Sequence, residues 1–146
     1  MKISTKGRYA LRFLLFLATH SNDGFVSLKL VSEKENISKK YMEQIVPILN
    51  KTDIIITNRG AQGGYKLGRT ADKITVGEVL RLAEGTLAPV SCINQNGIAD
   101  CPRNSFCPTL PVWTGLNKVI NEYLDGITLQ DIIDQSASFT GDNYVI

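Results

Sequence analysis

Three cysteines, Cys92, Cys101 and Cys107, fall within one short stretch of a 146-residue chain that has no others. Prolines follow two of them, in Cys101-Pro102 and Cys107-Pro108, and Gly97 lies in the longer gap. Proline lacks the amide donor and restricts the residue before it, so the stretch reads as a loop that folds back on itself. Thiolates are soft ligands suited to iron–sulfur clusters, zinc or copper(I). The spacing is not the close cysteine pairing usual in zinc fingers, and an odd count of three does not make a disulfide framework. Three readings of the loop therefore stand: an iron–sulfur cluster, a zinc or redox-thiol site, and no site. The only histidine, His20, closes an apolar segment far from the loop and reads as a surface residue rather than a ligand.

A second set of residues has the chemistry for nucleic acid. Ser38, Lys39, Lys40, Tyr41, Glu43 and Gln44 form a polar cluster, and Arg59-Gly60-Ala61-Gln62-Gly63-Gly64 follows. Such side chains can read base edges or hold phosphates. Glu43 stands out, because a carboxylate near phosphates is repelled unless it accepts a hydrogen bond from a cytosine amino group. It is a specificity element rather than an affinity element. Arg59 has the charge to enter a minor groove. The charge distribution agrees: residues 1–70 carry a net +7 and residues 71–146 a net −5. A basic half joined to an acidic half points to a polyanion, DNA above all, as partner of the first half. The bland alternative is a solvated helix face.

The elements that position these residues follow from periodicity and caps. Residues 9–20 are apolar on nearly all sides, so that helix is buried on more than one face, against its own domain and a partner subunit. Ser27 caps a helix over 28–36, and Ser38 caps another from Lys39 whose inner face is Met42, Ile45 and Leu49. The turn Asn36-Ile37-Ser38 between them completes a helix-turn-helix. Pro47 predicts a kink or an early end of the second helix. A β-branched run over 53–58 and a second short segment over 65–68 flank the glycine-rich tip and read as two strands of a hairpin. A helix-turn-helix followed by such a hairpin is a winged helix. Thr75-Val-Gly-Glu78 resembles a capping box opening a helix over Val76–Glu84 that ends at Gly85. After the cysteine loop, Val112, Leu116, Val119, Ile120, Tyr123, Leu124 and Ile127 recur at helical spacing. Thr128-Leu-Gln-Asp131 caps a last short helix, and the polar tail after Ser136 reads as loose.

The expected fold class is mainly α with a small β-hairpin wing. Its parts are a winged helix-turn-helix over 1–85, the cysteine-bearing loop over 86–110, helices over 111–136 and a flexible tail over 137–146. Hydrophobic content of 43% supports a core, and charged content of 21% argues against disorder. The longest apolar run, Phe13 to Ala18, is too short to span a membrane, so the expectation is a cytoplasmic protein with no membrane partner. There is no G-x-S-x-G, P-loop or H-E-x-x-H signature, so an enzyme is not expected.

Four segments, in order, resemble one family. Met1-Lys-Ile-Ser-Thr-Lys-Gly-Arg-Tyr-Ala10, Ile37-Ser38-x-x-Tyr41-Met42-Glu43-Gln44, Arg59-Gly60-x-x-Gly63-Gly64-Tyr65 and Ile127-Thr-Leu-Gln-Asp131 are similar to the Rrf-type winged-helix regulators, the IscR, NsrR and CymR group. The resemblance spans about residues 1–134. It implies a bacterial transcription factor, a repressor or activator, that binds a pseudo-palindromic operator as a homodimer. Ser38, Tyr41, Glu43 and Gln44 would then meet the major groove, and Arg59, Gly60 and Gly63 would meet DNA at the wing. The helix Val112–Leu124 would cross its partner, which makes 111–136 the dimerisation helices. Cys92, Cys101 and Cys107 fall where cluster-binding members keep their cysteines, and such members sense iron–sulfur status, nitric oxide or redox state. The nuclearity, [2Fe-2S] or [4Fe-4S], is left open. Two positions depart from the pattern: Leu110 stands where IscR-like members place a histidine, and Arg8 where NsrR-like members can use an acidic residue. The fourth ligand is thus unassigned. Two alternatives remain: a cluster-free regulator of cysteine metabolism acting through a protein partner, and a zinc or thiol interaction module that does not bind DNA.

Overall fold

The computed structural model describes residues 2–20 and 24–143. Among the described residues, six α-helices and one two-stranded antiparallel hairpin follow in the order α1 (Thr5–His20), α2 (Leu28–Glu35), α3 (Lys39–Leu49), β1 (Ile55–Asn58), β2 (Gly64–Leu67), α4 (Val76–Glu84), α5 (Leu110–Asp125) and α6 (Leu129–Asn143). This is the expected mainly helical architecture with a small wing.

α1 is the central helix. Ala10, Phe13, Leu14 and Leu17 are buried together with Val31, Met42, Ile45, Leu49 and Ile54. Further surface of α1 is covered within the chain. Leu11 packs against Val76 and Leu80 of α4, and Leu15 and Phe16 share a cleft with Ile132 and Ile133 of α6. Gly7 permits the close approach of α4, because a Cβ there would overlap the Glu84 carboxylate and lie 3.2 Å from Leu80 Cδ2. That carboxylate accepts from the Ser4 amide at 2.9 Å and the Ser4 hydroxyl at 2.7 Å, fastening the end of α4 to the start of α1. Phe13 is fully buried and meets the Tyr65 ring edge-on, with centroids 5.9 Å apart. Phe13→Ala is expected to lower the unfolding free energy by about 3–5 kcal/mol in a denaturant titration, because the transfer and cavity terms add.

Three local expectations are corrected. α3 does not end at Pro47 but runs on to Leu49. Val46 and Leu49 are both buried, and Asn50 N–H still bonds Val46 O at 2.9 Å, so packing of the last turn offsets the missing Pro47 donor. At the start of α4, the Thr75 hydroxyl accepts from Glu78 N–H at 3.1 Å, but the Glu78 carboxylate turns to Arg69. Arg69 also lies 3.0 Å from Asp53, so it ties the base of the wing to α4. The last helix is not short. Its capping box is reciprocal, with Thr128 N–H to Asp131 at 2.8 Å and Asp131 N–H to Thr128 at 3.1 Å. Most of the expected loose tail is helix, up to Asn143, and 144–146 lie outside the described residues.

Candidate nucleic-acid interface and cysteine loop

The helix-turn-helix is closed by local hydrogen bonds. Asn36 takes the left-handed conformation (φ 53°) at the end of α2. Ile37, 2% exposed, plugs the turn into the core, while its carbonyl accepts from the Ser32 hydroxyl at 2.5 Å. The Ser38 hydroxyl caps α3 by accepting from Tyr41 N–H at 3.2 Å. With Met42, Ile45 and Leu49 buried, helical geometry turns Lys39, Lys40, Tyr41, Glu43 and Gln44 outward, and all five are exposed, as is Ser38.

The wing follows directly. β1 pairs β2 in the register Ile55↔Leu67 to Asn58↔Gly64. Val26 and Tyr65 exchange two backbone bonds of 2.8 Å, adding a third segment to the edge of the hairpin. The tip is built on glycine: Gly60 sits at φ 118°, and its carbonyl accepts from Gly63 N–H at 3.0 Å. Arg59 projects beside them, exposed. The Thr57 hydroxyl donates to Asn50 Oδ1 at 2.7 Å, linking the wing to the end of α3. The structure thus brings the α3 cluster and the wing onto neighbouring elements.

A group of cations escaped the sequence reading. Lys2, Lys6 and Arg8 line a cleft of about 660 Å³ with Tyr41 and Gln44 of α3 and Glu84 of α4. Their signal was the positive charge of the first residues, but only the packing of α1 beside α3 sets them next to Tyr41 and Gln44.

The cysteine loop is partly ordered by its own hydrogen bonds. Ile93 and Ala99 form an antiparallel bridge, Asn94 N–H bonds Ile98 O at 2.9 Å, and Asp100 N–H bonds Cys92 O at 2.8 Å. This small hairpin turns at Gly97 and places Cys92 and Cys101 near each other along the backbone. Cys107 lies just before α5, where contact of its sulfur with the Thr109 hydroxyl at 3.4 Å holds the thiol pKa below its ordinary value. All three thiols are free and half-buried. As a donor set they suit an iron–sulfur cluster chemically. They are not gathered, however: among the described residues, no three His, Cys, Asp or Glu groups converge to hold a metal ion. His20 is half-buried, stacked on Phe16 at 3.9 Å, and bonded through Nδ1 to Phe16 O at 2.8 Å.

The tip of the loop leans on α5 and reaches α4. Asn117 is buried beneath Gly97, Asn121 Nδ2 donates to Asn117 O at 2.7 Å, and Arg81 of α4 donates to Asn121 Oδ1 at 2.8 Å. Arg81 also pairs with Asp125. On its other side α5 is uncovered: Val112, Leu116, Val119 and Tyr123 are 59, 41, 61 and 67% exposed. They recur at alternating steps of four and three, the spacing of a helix–helix seam.

Comparisons with known proteins agree with this architecture. The family described as Rrf2, iron-dependent transcriptional regulator, matches residues 3–135. The protein rrf2 of Nitratidesulfovibrio vulgaris is 37% identical over 133 residues, 91% of this chain and 87% of that protein. The structure of CymR, the global cysteine regulator of Bacillus subtilis, has a TM-score of 0.75 at 35% identity, covering 92% of this chain and 98% of that one. IscR of T. potens has a TM-score of 0.73 at 37% identity, covering 93% of this chain and 88% of that one. These relatives are regulators rather than enzymes, and no helix among the described residues is long and apolar enough to cross a membrane. A winged helix with an outward polar face on α3, matched over nearly its whole length, makes this chain a member of the Rrf2 family of bacterial DNA-binding transcriptional regulators.

Proposed function

We propose that the protein acts as a homodimer on a pseudo-palindromic operator, with one α3 in the major groove of each half-site. The observation that carries this reading is the division of α3: Met42, Ile45 and Leu49 are buried, while Ser38, Lys39, Lys40, Tyr41, Glu43 and Gln44 face solvent beside the wing. Lys39 and Lys40 supply charge to the phosphates, Ser38, Tyr41 and Gln44 supply hydrogen bonds, and Glu43 selects cytosine. Arg59, with the backbone at Gly60 and Gly63, meets the minor groove at the wing. The uncovered seam of α5 carries the dimer. Binding to random duplex is expected to weaken steeply with salt, because Lys and Arg displace counterions. Glu43→Ala is expected to relax sequence choice by about 1–3 kcal/mol of discrimination while leaving random-duplex affinity nearly unchanged. A competition assay across base-substituted operators reads both quantities, and uniform loss on every sequence would remove the specificity role.

The signal enters at the loop. Cys92, Cys101 and Cys107 would hold an iron–sulfur cluster, which supplies sensitivity to iron–sulfur status, nitric oxide or redox state. The contact of the Gly97 turn with Asn117, and the Asn121–Arg81 link beyond it, give the loop a route to α4 and the DNA-binding part. Regulation then amounts to a difference in operator affinity between two loop states, typically about 1–3 kcal/mol. A second reading is favoured by the dispersed thiols and by the likeness to a global cysteine regulator. In it the protein carries no cluster and responds through a protein partner.

A further inference from the structure

We propose that Arg12 and Tyr9 of α1 are positioning residues for DNA recognition, and that they act by fixing the ring of Tyr41 on α3. The inference rests on the reading of α3 as the helix that meets DNA. Tyr41 stands in the first turn of α3 and is 36% exposed. An exposed tyrosine samples several rotamers, and ordering it on binding costs affinity. Here it is ordered in advance. Its ring meets the Tyr9 ring edge-on, with centroids 5.2 Å apart and planes at 74°. The Arg12 guanidinium carbon lies 5.3 Å from the centre of the same Tyr9 ring.

Arg12 is itself locked. Its Nε donates to Glu35 Oε2 at 3.1 Å, its Nη2 lies 3.1 Å from the same oxygen, and Nη2 also donates to the Glu35 carbonyl. That carbonyl belongs to the last residue of α2, where main-chain acceptors lack helical partners. One planar fork therefore holds a side-chain carboxylate and a helix end together, which a lysine ammonium cannot reproduce. Both helices of the helix-turn-helix are thereby referred to one guanidinium on α1. Because Glu35 neutralises Arg12 in place, the role assigned to it is orientation rather than phosphate neutralisation.

The test uses the full chain and a labelled duplex enriched from a random-sequence library by repeated selection, beside an unselected duplex, each titrated over a range of salt. Arg12→Lys is expected to weaken the selected duplex about two- to fivefold, as release of the Tyr9 ring from one cation–π contact implies. It should leave the unselected duplex and the salt slope as in the parent. Tyr9→Leu, which removes the ring, should weaken the selected duplex at least as much as Arg12→Lys and leave the unselected duplex as in the parent. Adding Arg12→Lys to Tyr41→Ala should cost nothing more than Tyr41→Ala alone. Additive losses with Arg12→Lys, or a salt slope reduced by about one in Arg12→Gln, which removes the charge, would overturn the proposal in favour of a direct phosphate contact. An Arg12→Lys chain that binds like the parent while Tyr41→Ala binds weakly would overturn it too. Should Tyr41→Ala itself bind like the parent, the assignment of Tyr41 to the DNA contact fails and the proposal falls with it. If Arg12→Lys does not fold, Glu35→Gln, which keeps the backbone carbonyl, must lower the ratio of selected to unselected affinity, and an unchanged ratio would overturn the proposal.

Discussion

A Val119→Asp chain is expected to sediment as a monomer and to bind its operator about 100-fold or more weakly than the parent. Val119 sits in the middle of the uncovered α5 seam, between Leu116 and Tyr123, and is 61% exposed. A contiguous apolar stripe of this kind is unfavourable in water unless a partner covers it. A carboxylate buried at the centre of the covered seam would lack a partner, which costs more than the lost valine contacts. The fold itself should survive. The opposite side of α5, through Ile120 and Leu124, packs against Val76 and Leu80 of α4 and does not involve Val119. The large effect on DNA comes from linkage of half-sites: a dimer engages the second half-site at high effective concentration, and a monomer loses that gain of about 10²–10⁴. Analytical ultracentrifugation with circular dichroism checks the first part, and operator titration the second. A Val119→Asp chain that stays dimeric would place the interface elsewhere.

Cys101→Ala is expected to reduce iron and sulfide, counted after anaerobic reconstitution, from cluster stoichiometry to background while leaving the dimer folded. Cys101 lies next to the Asp100–Cys92 backbone bond, so it is the thiol brought near Cys92 by the small hairpin. Its removal leaves two thiols, too few to retain a cluster with only one external ligand. The strongly buried residues of the loop are Leu87 and Ile93 rather than the half-buried thiols, so the core should be indifferent to the change. A mutant that keeps iron at full stoichiometry would remove Cys101 from the ligand set. A parent chain that takes up neither iron nor sulfide would favour the partner-dependent reading and leave the DNA-binding assignments intact.

Much of the fold was legible because its signals are short-range. Ser27, Ser38, Thr75 and Thr128 cap helices through hydrogen bonds to residues three positions on, and each was visible as a residue type ahead of a periodic segment. The burial of Met42, Ile45 and Leu49 follows from helical spacing alone, and with it the outward direction of the polar residues between them. The wing was legible from one β-branched run and the glycines that follow it. Less legible were features that depend on distant residues. The passage of α3 through Pro47 turns on core packing around Val46 and Leu49. The diversion of Glu78 to Arg69 joins residues on either side of a turn. The cations at Lys2, Lys6 and Arg8 become neighbours of α3 only once α1 and α4 have packed.

The sequence by itself determined the order and type of the elements, the polar face of α3, the apolar period of α5 and the clustering of three thiols on one loop. These depend on caps, turns and periodicities that act within one or two helical turns. The tertiary structure alone decided which surfaces of α1 its own chain covers, that Arg12, Tyr9 and Tyr41 form one line of contacts from α1 to α3, and that the three thiols do not converge on one point. Those outcomes depend on contacts between residues far apart in the chain, such as Ser4 with Glu84 or Arg81 with Asp125. Local propensity carries no term for such contacts, because their free energy exists only once the elements have met.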